Sequence, residues 1–135
     1  PLFDEDRLKT VAAGVTAYLV GDHVKASHVL VPQVEAALRT FLGLLGEPTS
    51  KPVRGNPGLM QEKNLGDILA NEEFVRICPE NLRLYLSVFL ADPRGHNVRN
   101  RLSHGLVTFD ELDRPLTDRL FHTLLALGLF RKTSR

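Results

Sequence analysis

Apolar residues recur at three- and four-residue steps over most of this chain, and almost nowhere do apolar and polar residues alternate. That spacing is the period of a helix with one face turned to a core, and it argues against half-buried strands. From Asp4 to Val20 the stripe is Leu8, Val11, Ala12, Val15, Tyr18 and Leu19. Acids open this first segment, where the macrodipole favours them, and Gly21-Asp22 ends it. From about Val24 to Leu45 the stripe is Val34, Ala37, Leu38, Phe41, Leu42 and Leu45, stopped by Gly46. Pro32 lies inside this pattern and should kink or restart the helix, because it has no N–H to give the carbonyl four residues back. Glu80 to Leu90 turns Leu82, Leu86, Phe89 and Leu90 inward, and Pro115 to Phe130 carries Leu116, Leu120, Phe121, Leu124, Leu125 and Leu127.

Between these stand weaker signals. "EPTSKPVRGNP", running from Glu47 towards Gly58, holds three prolines and reads as a long loop over 47–60. Gln61 to Ile77 reads as two short helical pieces around Asn71. Asp92-Pro93-Arg94-Gly95 forces a turn, Asn97 suits an N-cap, and Gly105 suits the residue after a helix C-terminus. The expectation is an all-α bundle of four main helices plus short ones, in a single domain over residues 1–135 with an N-terminal helix over 1–22.

At 135 residues the chain can build one real core. Its 43% hydrophobic and 24% charged residues exclude wholesale disorder. The net charge of +1 excludes binding nucleic acid by bulk charge, so such a partner would have to meet a local patch. The single cysteine, Cys78, cannot close an internal disulfide and reads as a small buried thiol, which suggests a reducing, cytoplasmic setting. No apolar run is long enough to cross a bilayer and no signal peptide is legible. Pro1 in place of methionine points to a processed product or the C-terminal part of a longer protein.

The chemistry narrows quickly. His23, His28, His96, His104 and His122 have no close metal-ligand spacing, and no glycine-rich phosphate loop occurs. What stands out is "NVRNRLSHGL", residues 97–106, a helix-sized stretch rich in groups that are costly to bury. On a helix Asn100 and His104 stack one turn apart, whereas Arg99 lies roughly 140° from His104 around the axis and needs its long side chain to reach the same place. His104 falls in the last turn, where the helix end favours an imidazolium. Such a pair suits phosphodiester chemistry, the imidazole moving protons and the guanidinium neutralising phosphoryl oxygens. Equally, the segment reads as a solvated helix end with a cap at each side. On the second helix His28, Glu35 and Arg39 share one stripe, and Glu35 and Arg39 are spaced to pair with each other.

Arg99-Asn100-Arg101-Leu102-Ser103-His104 resembles the Arg-Asn-x-x-x-His signature of the HEPN superfamily of small helical bundles. "VPQVEAALR" (31–39) and "LADPRGHNVRNRLSHGL" (90–106) are similar to an uncharacterised bacterial family shared with a eukaryotic endoplasmic-reticulum-associated RNA degradation protein. The similarity spans roughly His28 to Leu127. It implies a HEPN-like two-fold homodimer whose composite site cuts RNA without metal or cofactor, leaving a 2′,3′-cyclic phosphate and a 5′-hydroxyl. His104 would be the base, Arg99 the phosphate ligand and Asn100 the substrate-orienting residue. Glu35 would contact the motif arginine, and Arg94, Arg101, Arg39 and His28, with Glu35, would line the RNA path; Lys51 and Arg54 in the loop could also reach it. Implied partners are single-stranded or tRNA-like RNA, a second copy, and an antitoxin or upstream domain, in phage defence or stress response. Where some HEPN toxins carry a modifiable tyrosine two residues after the histidine, this chain has Leu106. Many HEPN domains do not cut, so a catalytically inert dimerisation or nucleic-acid-binding module is the alternative that the resemblance also implies.

Overall fold

The computed structural model describes residues 1–130, which form two compact units, Pro1–Ala37 with the chain from Val98 onward, and Leu38–Asn97. The first unit holds α1 (Glu5–Leu19), the first part of α2 (His23–Leu44), α6 (Val98–Ser103), a 3-10 turn (Phe109–Glu111) and α7 (Arg114–Gly128). Asp4 caps α1 by accepting the Arg7 N–H at 2.8 Å, with Glu5 and Asp6 in the first turn. Gly14 is needed where α1 meets α2: a Cβ there would stand 2.4 Å from Leu30 Cδ2. Tyr18 stacks on Phe121 of α7 at 5.0 Å between ring centroids, and its hydroxyl donates to Asp118 at 2.6 Å. The core of this unit is Ala17, Ala26, Leu30, Val31, Val34, Leu116, Leu120, Leu124 and Leu127. Asp113 caps α7 and Pro115 sits in its first turn, where a missing N–H costs nothing.

The helix α2 runs unbroken through Pro32, whose ring is exposed. The carbonyl deprived of a donor is that of His28, also exposed, so the loss is cheap and no restart is needed.

The second unit holds the rest of α2, the strands β1 (Ser50–Val53) and β2 (Asn56–Glu62), and the helices α3 (Leu65–Leu69), α4 (Glu72–Ile77) and α5 (Glu80–Leu86). A π-helical segment, Ser87–Ala91, continues α5. Its core is Leu38, Leu42, Leu65, Ile68, Phe74, Leu86, Phe89 and Leu90, with Phe41 edge-on to Phe74. Asn64 and Asn71 cap α3 and α4 by accepting the Asp67 and Phe74 N–H groups.

The strands correct the all-α reading. Residues 47–60, expected as a loop, contribute an antiparallel ribbon in which Ser50 pairs with Glu62, Lys51 with Gln61 and Pro52 with Met60. The fold is α-rich with a two-stranded sheet, not an all-α HEPN-like bundle of four main helices, and the described residues hold seven α-helices. Three prolines hid the ribbon, because proline is a poor strand residue. With only two strands, each has an open edge on which a missing N–H is harmless. Register shifts between Pro52 and Val53, which leaves 57–59 outside the ladder, and Gly55 at φ +82° closes the turn. No described helix is long and apolar enough to cross a membrane.

Candidate functional site

Residues 97–106 become a short, strongly stopped helix. Asn97 precedes α6 with φ +50°, outside the extended region of an ordinary N-cap. At the other end the Leu106 N–H reaches the Arg101 carbonyl at 2.8 Å and the Gly105 N–H the Leu102 carbonyl at 3.2 Å. This is a Schellman ending, and it requires the left-handed residue that Gly105 (φ +66°) supplies. The helix is anchored by buried Val98 and half-buried Leu102. Leu106 is 62% exposed, because it lies beyond the helix stop.

This anchoring aims Arg99 at α2. Its Nε donates to Glu35 Oε2 at 2.6 Å and its Nη2 to Glu35 Oε1 at 3.3 Å, a two-point pair matching guanidinium to carboxylate. Its Nη1 donates to Asn100 Oδ1 at 3.1 Å. The side chains of Arg99 and Glu35 are 26% and 11% exposed, so the pair is largely withdrawn from water. Three of the five guanidinium N–H donors are used in these bonds and two remain for a ligand. His104 follows Asn100 by one turn, its own N–H bonded to the Asn100 carbonyl at 3.1 Å. Its imidazole is exposed and has no hydrogen-bond partner among the described residues. Glu35, Arg99, Asn100 and His104 therefore belong to one unit. The unit thus offers a fixed, half-buried guanidinium and, on the same short helix, an exposed imidazole.

Arg39 belongs to the second unit, where its Nη2 donates to the Lys63 carbonyl at 3.1 Å and its Nε lies 3.4 Å from Glu62. Arg94 also lies in that unit, closed on Asp92 by bonds of 2.8 and 3.1 Å. Those hydrogen bonds from Arg94 hold the Asp92 carboxyl down at about 2. Lys51 is 2.6 Å from Asp67, and Arg54 sits exposed at the ribbon turn. In the first unit His28 is exposed, its Nδ1 2.8 Å from the Val24 carbonyl.

Arg101 is engaged as well. Its Nη2 lies 2.7 Å from Glu111 Oε1 and 3.1 Å from the Leu106 carbonyl, so it buttresses the stop of α6. The Thr108 backbone N–H, then the Arg101 guanidinium, hold the Glu111 carboxyl at about 2. Glu111 went unnoticed in the sequence reading, although Thr-x-x-Glu over 108–111 is a legible capping-box pattern and closes as one here. No group of three potential metal ligands occurs among the described residues.

No family model matches the chain, and neither a curated protein nor a solved structure matches it.

Proposed function

We propose that Arg99, Asn100 and His104 form a metal-independent RNA-cleaving site, completed by a second copy of the chain. The observation that carries this reading is the Glu35–Arg99–Asn100 hydrogen-bond chain with the exposed His104 imidazole one helical turn further on. His104 takes the proton from a ribose 2′-hydroxyl, whose oxygen then attacks the adjacent phosphorus. The two remaining Arg99 N–H groups stabilise the charge gathering on the phosphoryl oxygens. The 5′-oxygen leaves with a proton, giving a 2′,3′-cyclic phosphate and a 5′-hydroxyl. One His104 offers one proton-transfer group; an isologous dimer supplies the second, with a second arginine in the same cleft. This reading, with its HEPN resemblance, sets the protein among RNA in a reducing compartment such as the cytoplasm, in defence or stress response.

The test is incubation of purified protein with structured and unstructured RNA in EDTA, comparing the wild type with His104→Ala and mapping the new ends. Cleavage by the wild type alone, with cyclic-phosphate ends, supports the proposal. No cleavage, or equal cleavage by both, overturns it.

One observation favours a non-cutting interaction module instead. Arg94, Arg99 and Arg101 each face a carboxylate of their own chain, which reduces the positive field offered to RNA. That module predicts a stable dimer whose RNA affinity, where present, falls with salt and leaves no new ends.

A further inference from the structure

The second unit contains a cavity of about 570 Å³ in which the proposed RNA chemistry has no part. Its volume lies within the range of small-molecule sites. Its walls combine apolar surface from Leu69 and Ala70 of the α3 end with polar groups from Arg83, Ser87, Asp92 and Arg94. Arg83 Nε is buried without a hydrogen-bond partner, and no described carboxylate pairs with this guanidinium. A buried guanidinium N–H left unsatisfied is costly, and its strongest natural partner is an anionic oxygen.

A second observation concerns the backbone that frames the cavity. Ser87 and Ala91, both in its wall, bound the π-helical segment, in which the Asp92 N–H reaches back five residues to the Ser87 carbonyl at 2.8 Å. Such segments are uncommon and concentrate at functional positions. Here the freed Val88 carbonyl accepts the His96 N–H at 3.0 Å, drawing the 92–95 turn against the helix. Gly95 permits this approach, since a Cβ on it would lie 2.2 Å from the Val88 oxygen. The Asp92 side chain accepts the Arg94 N–H at 2.8 Å and fixes the turn that carries the second guanidinium. The rim is thus built before any ligand arrives.

We infer that this cavity binds a small phosphomonoester with an apolar body, of the nucleoside monophosphate class. Arg83, a wall residue whose guanidinium has no carboxylate partner among the described residues, takes the phosphate oxygens. Arg94, 91% exposed at the mouth, adds a second cation. Asp92 faces the same space, but its carboxylate is already held by Arg94, so it serves as an acceptor for a ligand hydroxyl. Leu69, Ala70 and Pro93 cover the body of the ligand.

The test is calorimetric titration of the full chain at low salt with adenosine 5′-monophosphate, with inorganic phosphate and adenosine titrated separately. Amide shift mapping of the wild type runs alongside. Saturable binding of the monophosphate is expected, tighter than either fragment by tenfold or more. The shifts should centre on 66–70 and 83–94. Arg83→Gln should weaken binding at least tenfold and Arg94→Gln less, whereas His104→Ala should leave it unchanged. Absence of saturation at millimolar monophosphate overturns the inference, as do shifts centred on 99–104 or undiminished binding by Arg83→Gln. If Arg83→Gln fails to fold, the wild-type shift map and Arg94→Gln decide.

Discussion

Separating Glu35 from Arg99 tests the core of the site without any substrate. An exposed ion pair is worth about 0.2–1 kcal/mol, whereas stripping one partner from a buried pair costs about 3–5 kcal/mol. This pair lies between the limits and nearer the second, and its two members differ. Arg99 is 26% exposed and long enough to turn its guanidinium to water once alone. Glu35 is 11% exposed on the buried side of α2, and it loses a two-point partner when Arg99 is removed. Arg99→Ala should therefore cost about 3 kcal/mol and Glu35→Ala about 2 kcal/mol. The double variant should cost less than their sum by about 1–2 kcal/mol, since both changes remove the same two-point contact. Urea unfolding followed by far-UV circular dichroism at neutral pH reads all four proteins of the cycle, with hydrogen exchange in α6 reporting locally. Each kcal/mol should lower the Tm by roughly 3–5 °C for a chain of this size. Additive single effects, or Glu35→Ala costing more than Arg99→Ala, would refute the argument that this contact fixes Arg99.

Other outcomes follow from local geometry. Gly95→Ala sets a methyl 2.2 Å from the Val88 carbonyl oxygen and should cost about 2 kcal/mol or more in a thermal melt, because backbone must shift. Gly105→Ala meets open space but keeps the left-handed backbone, so a milder loss of about 1 kcal/mol is expected in the same melt. Glu111 is held at about 2, below its unfolded carboxyl value. Below the ordinary carboxylate range the unfolded chain binds the extra proton, so this group's stabilisation, complete at neutral pH, declines as pH falls towards 2. Glu111→Gln should flatten that part of a stability-versus-pH curve measured by urea unfolding. An unchanged acid limb would show that the Thr108–Glu111–Arg101 contacts do not form in solution.

How far these features were legible depends on how local their causes are. The helix from Asp4 follows from an acid-rich start and a three-four stripe, and it forms as α1 with Asp4 as its cap. Asn71 divides two short helices as its residue type suggests, and Gly105 stops α6 because only glycine takes that backbone cheaply. In each case the governing groups lie within one turn. The ribbon failed to announce itself because proline's dislike of strands is an average, and an open-edged pair tolerates what a central strand does not. Likewise no local spacing shows the Glu35–Arg99 pair, because α6 brings Arg99 from 64 residues on.

By itself, then, the order of residues determined the helical segments, their caps and stops, and the grouping of Asn100 with His104. Those depend on backbone dihedrals and near neighbours. Only the tertiary structure decided which charges meet. It gave Arg99 to Glu35, Arg101 to Glu111 and Arg39 to Glu62, and it left the buried Nε of Arg83 unpartnered in the wall of a cavity. Side-chain pairing at long range is settled by where packed helices bring their ends, and by which partner can shed water at least cost. No local spacing rule contains that information.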